Sequence, residues 1–373
     1  MIEHIRVLHV LSAMDRAGTE NLLMSLYRNV DRSKVQFDFA VCATKKCAFD
    51  DEIRSLGGKI YHYPRYRGIN HFAYTAWWNG FYKAHPEYKI IHGHIGSTAA
   101  IYLGIAKKYD RITIAHSHST RSTTNAKSIA YRIYAFPTRY IADYFFGCSY
   151  QALVDRYGRK VAADKKKAAV LNNAIDAKKF IYNNQSREAI REELSIGEKE
   201  LIIGTCGRLT PQKNPFFVIA IVEQLVKKGL KFRFLWVGTG ELETEIKKKI
   251  KSLHLEKYFI MTGVRGDIPN VLCAMDIFVF PSLWEGLGIA CVEAQASGLP
   301  SLCSDTIPKE AKATDLAVFL PIDDVAKWCD EIFVQMRINN KLNRSDVYRQ
   351  IIESGYDIHK VTSFLEKIYL EKL

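Results

Sequence analysis

The stretch that decides the fold runs from Asp276 to Glu310 and reads DIFVFPSLWEGLGIACVEAQASGLPSLCSDTIPKE. It opens on an apolar run, Ile277 to Phe280, that predicts a buried strand. A glycine-bearing loop, Glu285 to Gly288, then leads into a helical pattern that Gly298 ends. The stretch therefore predicts a strand, a loop and a helix, the unit from which parallel sheets covered by helices are built.

Two glutamates of this stretch, Glu285 and Glu293, stand eight positions apart. Glu285 falls in the loop at the strand's C-terminal end, and Glu293 is expected about two turns into the helix, since 3.6 residues make a turn. Between them, Gly286 and Gly288 let backbone N–H groups approach an anion at a helix N-terminus. A sugar nucleotide offers a diphosphate to such groups and hydroxyls to the carboxylates. Taken alone, the spacing fits a solvated pair of glutamates equally well.

Short β-rich runs alternate with longer helical patterns along the chain, which predicts parallel sheets with helices on both faces. Twelve runs are expected to form strands: IRVLHVLS, VQFDFAVC, KIYHYP, KIIHGH, ITIAHSH, YFFGCS, LIIGTCG, FRFLWVG, YFIMTG, IFVFPS, PSLCSD and AVFLP. These are too many for one ordinary sheet, so two Rossmann-like domains are expected. The polar segment from Asp176 to Glu200 suggests the boundary, with domains at 1–178 and 179–355 and a final helix at 356–373.

Composition indicates a globular protein, with 48% apolar and 25% charged residues among 373. No apolar run approaches the ~20 residues that a membrane span needs. The first residues resemble a β-strand more than a signal peptide, and the eight cysteines show no paired or metal-binding spacing. A reducing, cytoplasmic location is therefore expected.

The net charge of +13 lies entirely in the first half of the chain. Residues 1–180 hold 28 Lys and Arg against 14 Asp and Glu, whereas residues 181–373 hold 25 against 26. Such an excess predicts either better solubility or attraction to an anionic membrane or a phosphate-bearing acceptor. No nucleic-acid partner is expected, because no nucleic-acid-binding motif accompanies the charge. Candidate membrane-facing cations include Arg65, Arg67, Lys107, Lys108, Arg111, Arg121 and Arg139.

The segment EGLGIACVE and its flanks, from Asp276 to Glu310, resemble the family 4 retaining glycosyltransferases, which use nucleotide sugars and have the GT-B fold. The resemblance implies two Rossmann-like domains facing an interdomain cleft, with a C-terminal helix that crosses back to the N-terminal domain. It also implies a donor site in the second half. The donor-binding residues carried over from the family are Gly18, Arg208, Lys213, Gly238, Val264, Arg265, Glu285, Gly286, Leu287, Gly288, Ile289 and Glu293.

The resemblance divides the roles within this set. Arg208 and Lys213, in TCGRLTPQKNP, would hold the diphosphate, while Glu293 would accept hydrogen bonds from the ribose and Glu285 would face the transferred sugar. Backbone groups from Gly286 to Ile289 would contact sugar and diphosphate. The segment VGTGEL, which contains Gly238, fits a phosphate-binding turn and a plain turn equally well. Val264 and Arg265 would lie beside the nucleobase, and Asp267 would cap the next helix.

The first half resembles the family's acceptor side. Gly18 in DRAGTE matches the second glycine of a G-G-x-E segment, although Ala17 replaces the first. His118, at the end of ITIAHSH, matches the family's histidine beside the reacting sugar; His116 is the alternative, and which of the two acts is open. Arg121 would meet an acceptor phosphate.

The implied function is retaining transfer of a sugar, from a nucleoside diphosphate donor such as a UDP-sugar, to a lipid-linked saccharide in capsule or exopolysaccharide synthesis. Arg208, Lys213, His118 and Glu285 would form the catalytic set, and the leaving phosphate would take the acceptor's proton. No metal and no cofactor beyond the nucleotide-sugar co-substrate is expected. The protein would lie peripherally at the inner face of the cell membrane. The alternatives are a GT-B-like UDP-sugar epimerase, which needs further acid and base residues, and a non-catalytic basic binding protein.

Overall fold

The computed structural model describes residues 4–15, 18–118, 133–339 and 343–372. The chain divides into two compact units, of which the first contains Met1–Ala174 with Ile358–Leu373 and the second Ile175–Asp357. Each unit is an all-parallel sheet flanked by helices, so the α/β class with two Rossmann-like domains is confirmed.

The first unit is built on a seven-stranded sheet in the order β3-β2-β1-β4-β5-β6-β7. Its strands are β1 (Ile5–Leu11), β2 (Val35–Val41), β3 (Ile60–His62), β4 (Tyr88–Gly93), β5 (Ile112–Ser117), β6 (Tyr144–Gly147) and β7 (Ala168–Val170). Its helices are α1 (Gly18–Asn29), α2 (Asp50–Ser55), α3 (His71–Ala84), α4 (Ala99–Lys107), α5 (Thr138–Ile141), α6 (Tyr150–Tyr157), α7 (Arg159–Ala162) and, after the second unit, α15 (Ile358–Glu371).

The second unit is built on a six-stranded sheet in the order β10-β9-β8-β11-β12-β13. Its strands are β8 (Leu201–Cys206), β9 (Phe232–Val237), β10 (Phe259–Gly263), β11 (Ile277–Phe280), β12 (Ser301–Ser304) and β13 (Ala317–Leu320). Its α-helices are α8 (Asn184–Glu193), α9 (Pro215–Lys227), α10 (Glu243–Ser252), α11 (Ile268–Ala274), α12 (Ile289–Ala296), α13 (Val325–Asn339) and α14 (Tyr348–Glu353). Short 3₁₀ helices lie at Ala177–Phe180, Pro211–Lys213, Glu256–Tyr258, Lys309–Ala311 and Arg344–Asp346.

All twelve strands expected from the sequence are present. The described residues add one more, β7, which the sequence did not reveal. This strand is three residues long and pairs only with β6 at the sheet's edge. β3 is equally short, but its run contains β-branched and aromatic residues, whereas β7 is Ala-Ala-Val and alanine is depleted in strands.

The final helix, α15, belongs to the first unit and packs against α1. Its apolar spacing explains this, because Ile358, Val361, Leu365 and Ile368 all enter the core of that unit. Phe364, on the same helix, remains 37% exposed. The crossing-back of the C-terminal helix is therefore part of the confirmed fold.

The strand order reverses beside the first strand of each sheet, between β1 and β4 and between β8 and β11. In open parallel sheets, ligands bind outside the carboxyl ends of the strands at such a reversal, because the two adjacent loops diverge to opposite faces there. Asp276 anchors the second reversal, since its carboxylate accepts from Ile202 N at 2.8 Å and from Arg187 Nη2 at 2.7 Å. None of the helices described is both long enough and apolar enough to cross a bilayer.

Candidate active site

The reversal point of the second sheet brings together the loops that follow β8 and β11. The backbone N–H of Leu283 donates to the carbonyl of Gln212 at 2.8 Å, and the Gln212 side chain donates to the carbonyl of Trp284 at 2.9 Å. These bonds tie the 3₁₀ turn Pro211–Lys213 to the loop that carries Glu285. Two segments that are distant in sequence therefore form one rigid edge.

Lys213 and Glu285 meet on this edge. Lys213 Nζ lies 2.6 Å from Glu285 Oε1, and the two side chains are 19% and 11% exposed. The same ammonium lies 4.5 Å from the centre of the Phe280 ring, an additional favourable contact for a cation. Enclosure from water strengthens the attraction, so both charges are held at the carboxyl end of the sheet.

Arg208 lies in the same loop and is exposed, with no ion pair among the described residues. Two glycines of the neighbouring strand end position its backbone. A Cβ on Gly238, whose φ is +134°, would fall 2.2 Å from the carbonyl oxygen of Gly207. A Cβ on Gly240 would fall 2.4 Å from that of Leu209. Close packing of the two loops thus accounts for both glycines, and contact of Gly238 with a donor stays a prediction.

Glu293 lies one turn into α12, because the helix begins at Ile289. The expectation of two turns was wrong, because Glu293 is only the fifth residue of the helix and 3.6 residues make a turn. Gly288 has a φ of +92°, and a Cβ there would lie 3.1 Å from the Phe280 ring. Only glycine fits this position without strain, so the loop's shape depends on it.

Burial raises the pKa of Glu293 to about 7, and the positive charge of Lys213 opposes this only in part. Within the described residues, no hydrogen bond reaches the Glu293 carboxylate. Burial, reinforced by the Glu293 charge, also raises the pKa of the Cys206 thiol at the end of β8. The carboxyl group of Glu293 is therefore enclosed and protonates near neutral pH, a property typical of functional sites.

The other donor-binding candidates differ in their exposure and in whether other side chains already bind them. Val264 is 71% exposed, whereas Leu287 is 2% exposed, so only the backbone of Leu287 can meet a ligand. Arg265 is held by Glu193 at 2.5 Å and by Asp267 at 2.7 Å, and these bonds raise its pKa. Asp267 stands at the N-cap of α11 but makes no capping bond with its side chain, so the expected cap is wrong. Its carboxylate binds Arg265 instead.

In the first unit, His116 is the second-last residue of β5 and is 3% exposed, and His118 directly follows the strand. Their ring centroids lie 3.9 Å apart. Three further histidines, His9, His92 and His94, join them. This group of five was not expected from the sequence, although HGH and HSH at the ends of two expected strands were a usable signal. Gly18 begins α1 with open space around its Cα, so packing does not require glycine there. Arg121 lies outside the described residues.

A pocket of about 520 Å³ lies at the carboxyl edge of the first sheet. Its lining follows the ends of β1 to β4 and is rich in tyrosine and arginine, including Tyr63, Arg65, Tyr66, Arg67 and Tyr74. Tyr63 and Tyr74 are buried, while Arg65 and Arg67 are exposed at the rim. Arg65 and Arg67 were expected from the sequence as candidate membrane-facing cations, whereas the pocket was not expected.

Two parallel sheets, each with a strand-order reversal, define the class of Rossmann-like α/β proteins, and comparison with known proteins identifies the family. Residues 186–314 match the family profile described as glycosyl transferases group 1. The putative glycosyltransferase EpsF of Bacillus subtilis (strain 168) is 30% identical over 374 residues, covering 98% of this chain and 96% of the relative. The chain therefore belongs to the group 1 glycosyltransferases.

Two other relatives have more descriptive names. The UDP-Gal:alpha-D-GlcNAc-diphosphoundecaprenol alpha-1,3-galactosyltransferase of Escherichia coli is 28% identical over 219 residues, covering 57% of this chain and 56% of the relative. The capsular polysaccharide biosynthesis glycosyltransferase CapH of Staphylococcus aureus is 26% identical over 303 residues, covering 78% of each. Among solved structures, Anabaena HepE in complex with UDP is similar with a TM-score of 0.81 and 15% identity, covering 99% of this chain and 100% of HepE. That likeness supports the GT-B fold.

Proposed function

We propose that this glycosyltransferase is a retaining, family 4 enzyme that moves a sugar from a UDP-sugar to a hydroxyl of a lipid-linked saccharide. The observation that carries the proposal is the enclosed Lys213–Glu285 pair beside Glu293, at the reversal point of the second sheet. The printed names of the relatives support the finer points: one names UDP-Gal and a diphosphoundecaprenol-linked acceptor, and another names capsular polysaccharide. The HepE complex supports UDP as the nucleotide.

The ion pair suggests how the donor is received. A diphosphate that enters the loop offers Lys213 a second, doubly charged partner, and Arg208 adds a planar fork from its exposed position. Lys213 then shares or leaves Glu285, whose carboxylate becomes free to accept hydrogen bonds from the transferred sugar. Glu293 accepts hydrogen bonds from the two ribose hydroxyls, and these favour its ionised form.

In the transfer step, the acceptor oxygen bonds to the anomeric carbon on the face from which the diphosphate departs. The bond from that carbon to the diphosphate oxygen breaks, and the electron pair stays on the phosphate. That oxygen takes the acceptor's proton, so the configuration is retained and no protein base is needed. Arg208, Lys213 and backbone N–H groups stabilise the charge that develops, commonly the largest catalytic contribution. We propose that this stabilisation operates without a metal ion or a further cofactor.

The acceptor is assigned to the first unit. Its pocket combines aromatic faces, which suit sugar rings, with Arg65 and Arg67, which suit an acceptor phosphate. Next to these arginines, Ile69 is 95% and Phe72 is 86% exposed. Cations beside exposed apolar side chains favour an anionic membrane surface, so we place the protein peripherally at the inner face of the cell membrane.

Two of the cations expected to face a membrane are engaged elsewhere. Arg111 is 9% exposed and donates to the Tyr82 carbonyl at 3.3 Å, so its assignment to a membrane surface was wrong. Lys107 is paired with Asp143 at 2.5 Å. Arg65 and Arg67 therefore remain the better candidates.

A donor panel tests the proposal. Purified enzyme is incubated with α-linked UDP- and GDP-sugars, with and without a polyprenyl-diphosphate-linked saccharide, and nucleotide release is measured. We expect acceptor-dependent release from a UDP-sugar and an α-linked product by NMR. A β-linked product would refute retention, and equal release from GDP-sugars would refute the nucleotide assignment. A soluble saccharide that serves as well as the lipid-linked one would refute the acceptor class.

A further inference from the structure

Five histidines gather at the reversal point of the first sheet. His9 lies in β1, His92 and His94 lie in and just after β4, and His116 and His118 lie at the end of β5. His9 Nδ1 is 3.0 Å from His94 Nε2, and His94 Nδ1 is 2.7 Å from His118 Nε2. The sequence predicts a catalytic role for His118 or, alternatively, for His116, so the rest of the cluster needs another explanation.

His116 is the member whose surroundings point to a ligand. Its side chain is 3% exposed, yet neither ring nitrogen has a hydrogen-bond partner within the described residues. Buried polar atoms without partners are rare in native proteins, and a common explanation is an ion or a water molecule. The rings of His118 and His94 lie nearby, at 3.9 Å and 5.3 Å between centroids.

We propose that His94, His116 and His118 bind one divalent transition-metal ion of the class that prefers imidazole, for which Zn²⁺ is the best representative. One ring nitrogen from each of these residues lies within 4.8 Å of the others. Imidazole nitrogen is a preferred ligand of zinc, and three protein ligands leave a fourth position for water. The cation would hold His118 in place at the edge of the sheet.

Between His94 and His118 the geometry needs only a small adjustment. Zinc–nitrogen bonds of about 2.0–2.1 Å at a tetrahedral angle separate two ligand nitrogens by about 3.3 Å. The His94 and His118 nitrogens, now 2.7 Å apart, therefore open slightly when the cation replaces the proton between them. His94 then carries its proton on Nε2 and donates it to His9, the outer hydrogen bond that metal-binding histidines commonly make.

Access also favours this set. His94 and His118 are partly exposed, which gives an ion a path inward. A second grouping, His9 with His92 and His94, is the less accessible one, because His9 and His92 are both 0% exposed.

Metal binding to the full-length chain tests the proposal without any nucleotide or acceptor. Chelator-treated protein is titrated with Zn²⁺ by calorimetry and with Co²⁺ by visible absorption. We expect one ion per chain, a tetrahedral Co²⁺ spectrum without thiolate charge-transfer bands, and at least tenfold weaker binding in His116→Asn and in His118→Asn. His116→Asn removes no hydrogen bond of the described structure. The matched control is His254→Asn, at an exposed position with a φ of +55° that asparagine accepts.

Several results would overturn the site. Absence of Zn²⁺ binding by the parent would do so, as would a thiolate spectrum, which would place the ion on cysteine. Unchanged binding in both variants would exclude these histidines, and loss in His92→Asn alone would move the ion to the deeper group. Circular dichroism of each variant confirms folding. If His116→Asn does not fold, Zn²⁺ binding by His118→Asn, a change at a partly exposed position, and the Co²⁺ spectrum of the parent still test whether the site exists.

Discussion

Replacing Glu293 with Gln should strengthen the fold and weaken nucleotide binding. The carboxyl group is enclosed near β8 and β11, and no hydrogen bond reaches it within the described residues. In the folded chain it holds its proton more tightly than in the unfolded chain, because its pKa rises from 4.5 to about 7. Ionising this carboxyl group at higher pH therefore makes the fold less stable. Glutamine keeps the size of the side chain but cannot ionise, so the variant avoids this loss of stability.

The pH interval and the size follow from linkage. Between pH 4.5 and about 7 the folded state binds more protons than the unfolded state, so stability falls as pH rises across this interval. At about 1.4 kcal/mol per pKa unit, the ionisation of Glu293 lowers the free energy of unfolding by at most about 3 kcal/mol at pH 8. Glu293 is partly open to solvent, so we expect about 1–2 kcal/mol in practice.

Urea unfolding of the parent and of Glu293→Gln at pH 5 and pH 8 measures the effect. We expect a higher midpoint for the variant at pH 8, little difference at pH 5, and unchanged slopes. Hydrogen exchange of peptides from 175–357 assigns the change to the second unit. Glu285→Gln is the matched control. We expect this variant to have a lower urea midpoint than the parent, because it leaves Lys213 without the carboxylate that lies 2.6 Å away.

Nucleotide binding provides the second half of the test. A carboxylate that accepts two ribose hydroxyls should bind UDP more tightly as pH rises through 7, and the Gln variant should lose this dependence. We expect about 10- to 100-fold weaker UDP binding at pH 8, from about 1.5–3 kcal/mol for hydrogen bonds to a charged group. Destabilisation by Glu293→Gln at pH 8, or UDP affinity equal to the parent's, would refute the reasoning.

The remaining predictions concern the diphosphate, the loop and the membrane. Lys213→Ala should lower turnover by about 10²–10³, from about 2.7–4 kcal/mol of lost charge stabilisation, whereas Lys227→Ala, at the exposed end of α9, should not. Turnover of the Lys213 variant within threefold of the parent would remove Lys213 from the site. Gly288→Ala should lower the urea midpoint more than Gly229→Ala, since both have positive φ but only Gly288 faces a 3.1 Å contact; equal effects would contradict this packing argument. Phe72→Ser should weaken sedimentation with anionic vesicles at low salt, and high salt should release the parent, since the screening length falls to about 3 Å at 1 M. Parent protein that ignores anionic vesicles at low salt would argue against the membrane proposal.

Local pattern was sufficient for much of this protein. The strand at Ile277–Phe280, the loop through Gly288 and the helix stop at Gly298 were all visible in the sequence, and the structure confirms them. Alternation of apolar and polar residues and the backbone freedom of glycine act over a few neighbours, so sequence alone reports them. The side-chain cap expected of Asp267 was wrong because its carboxylate binds Arg265, which is also held by the distant Glu193.

Tertiary structure decided how the candidate groups meet. Lys213 and Glu285 are 72 positions apart and pair only because β8 lies beside β11. His9, His94 and His118 come together only because β1, β4 and β5 are neighbours. The raised pKa of Glu293 likewise follows from what encloses it. Strand order sets which residues share an edge of the sheet and which are buried away from water. Both the strength of a charge pair and the protonation of a carboxyl group depend on that burial.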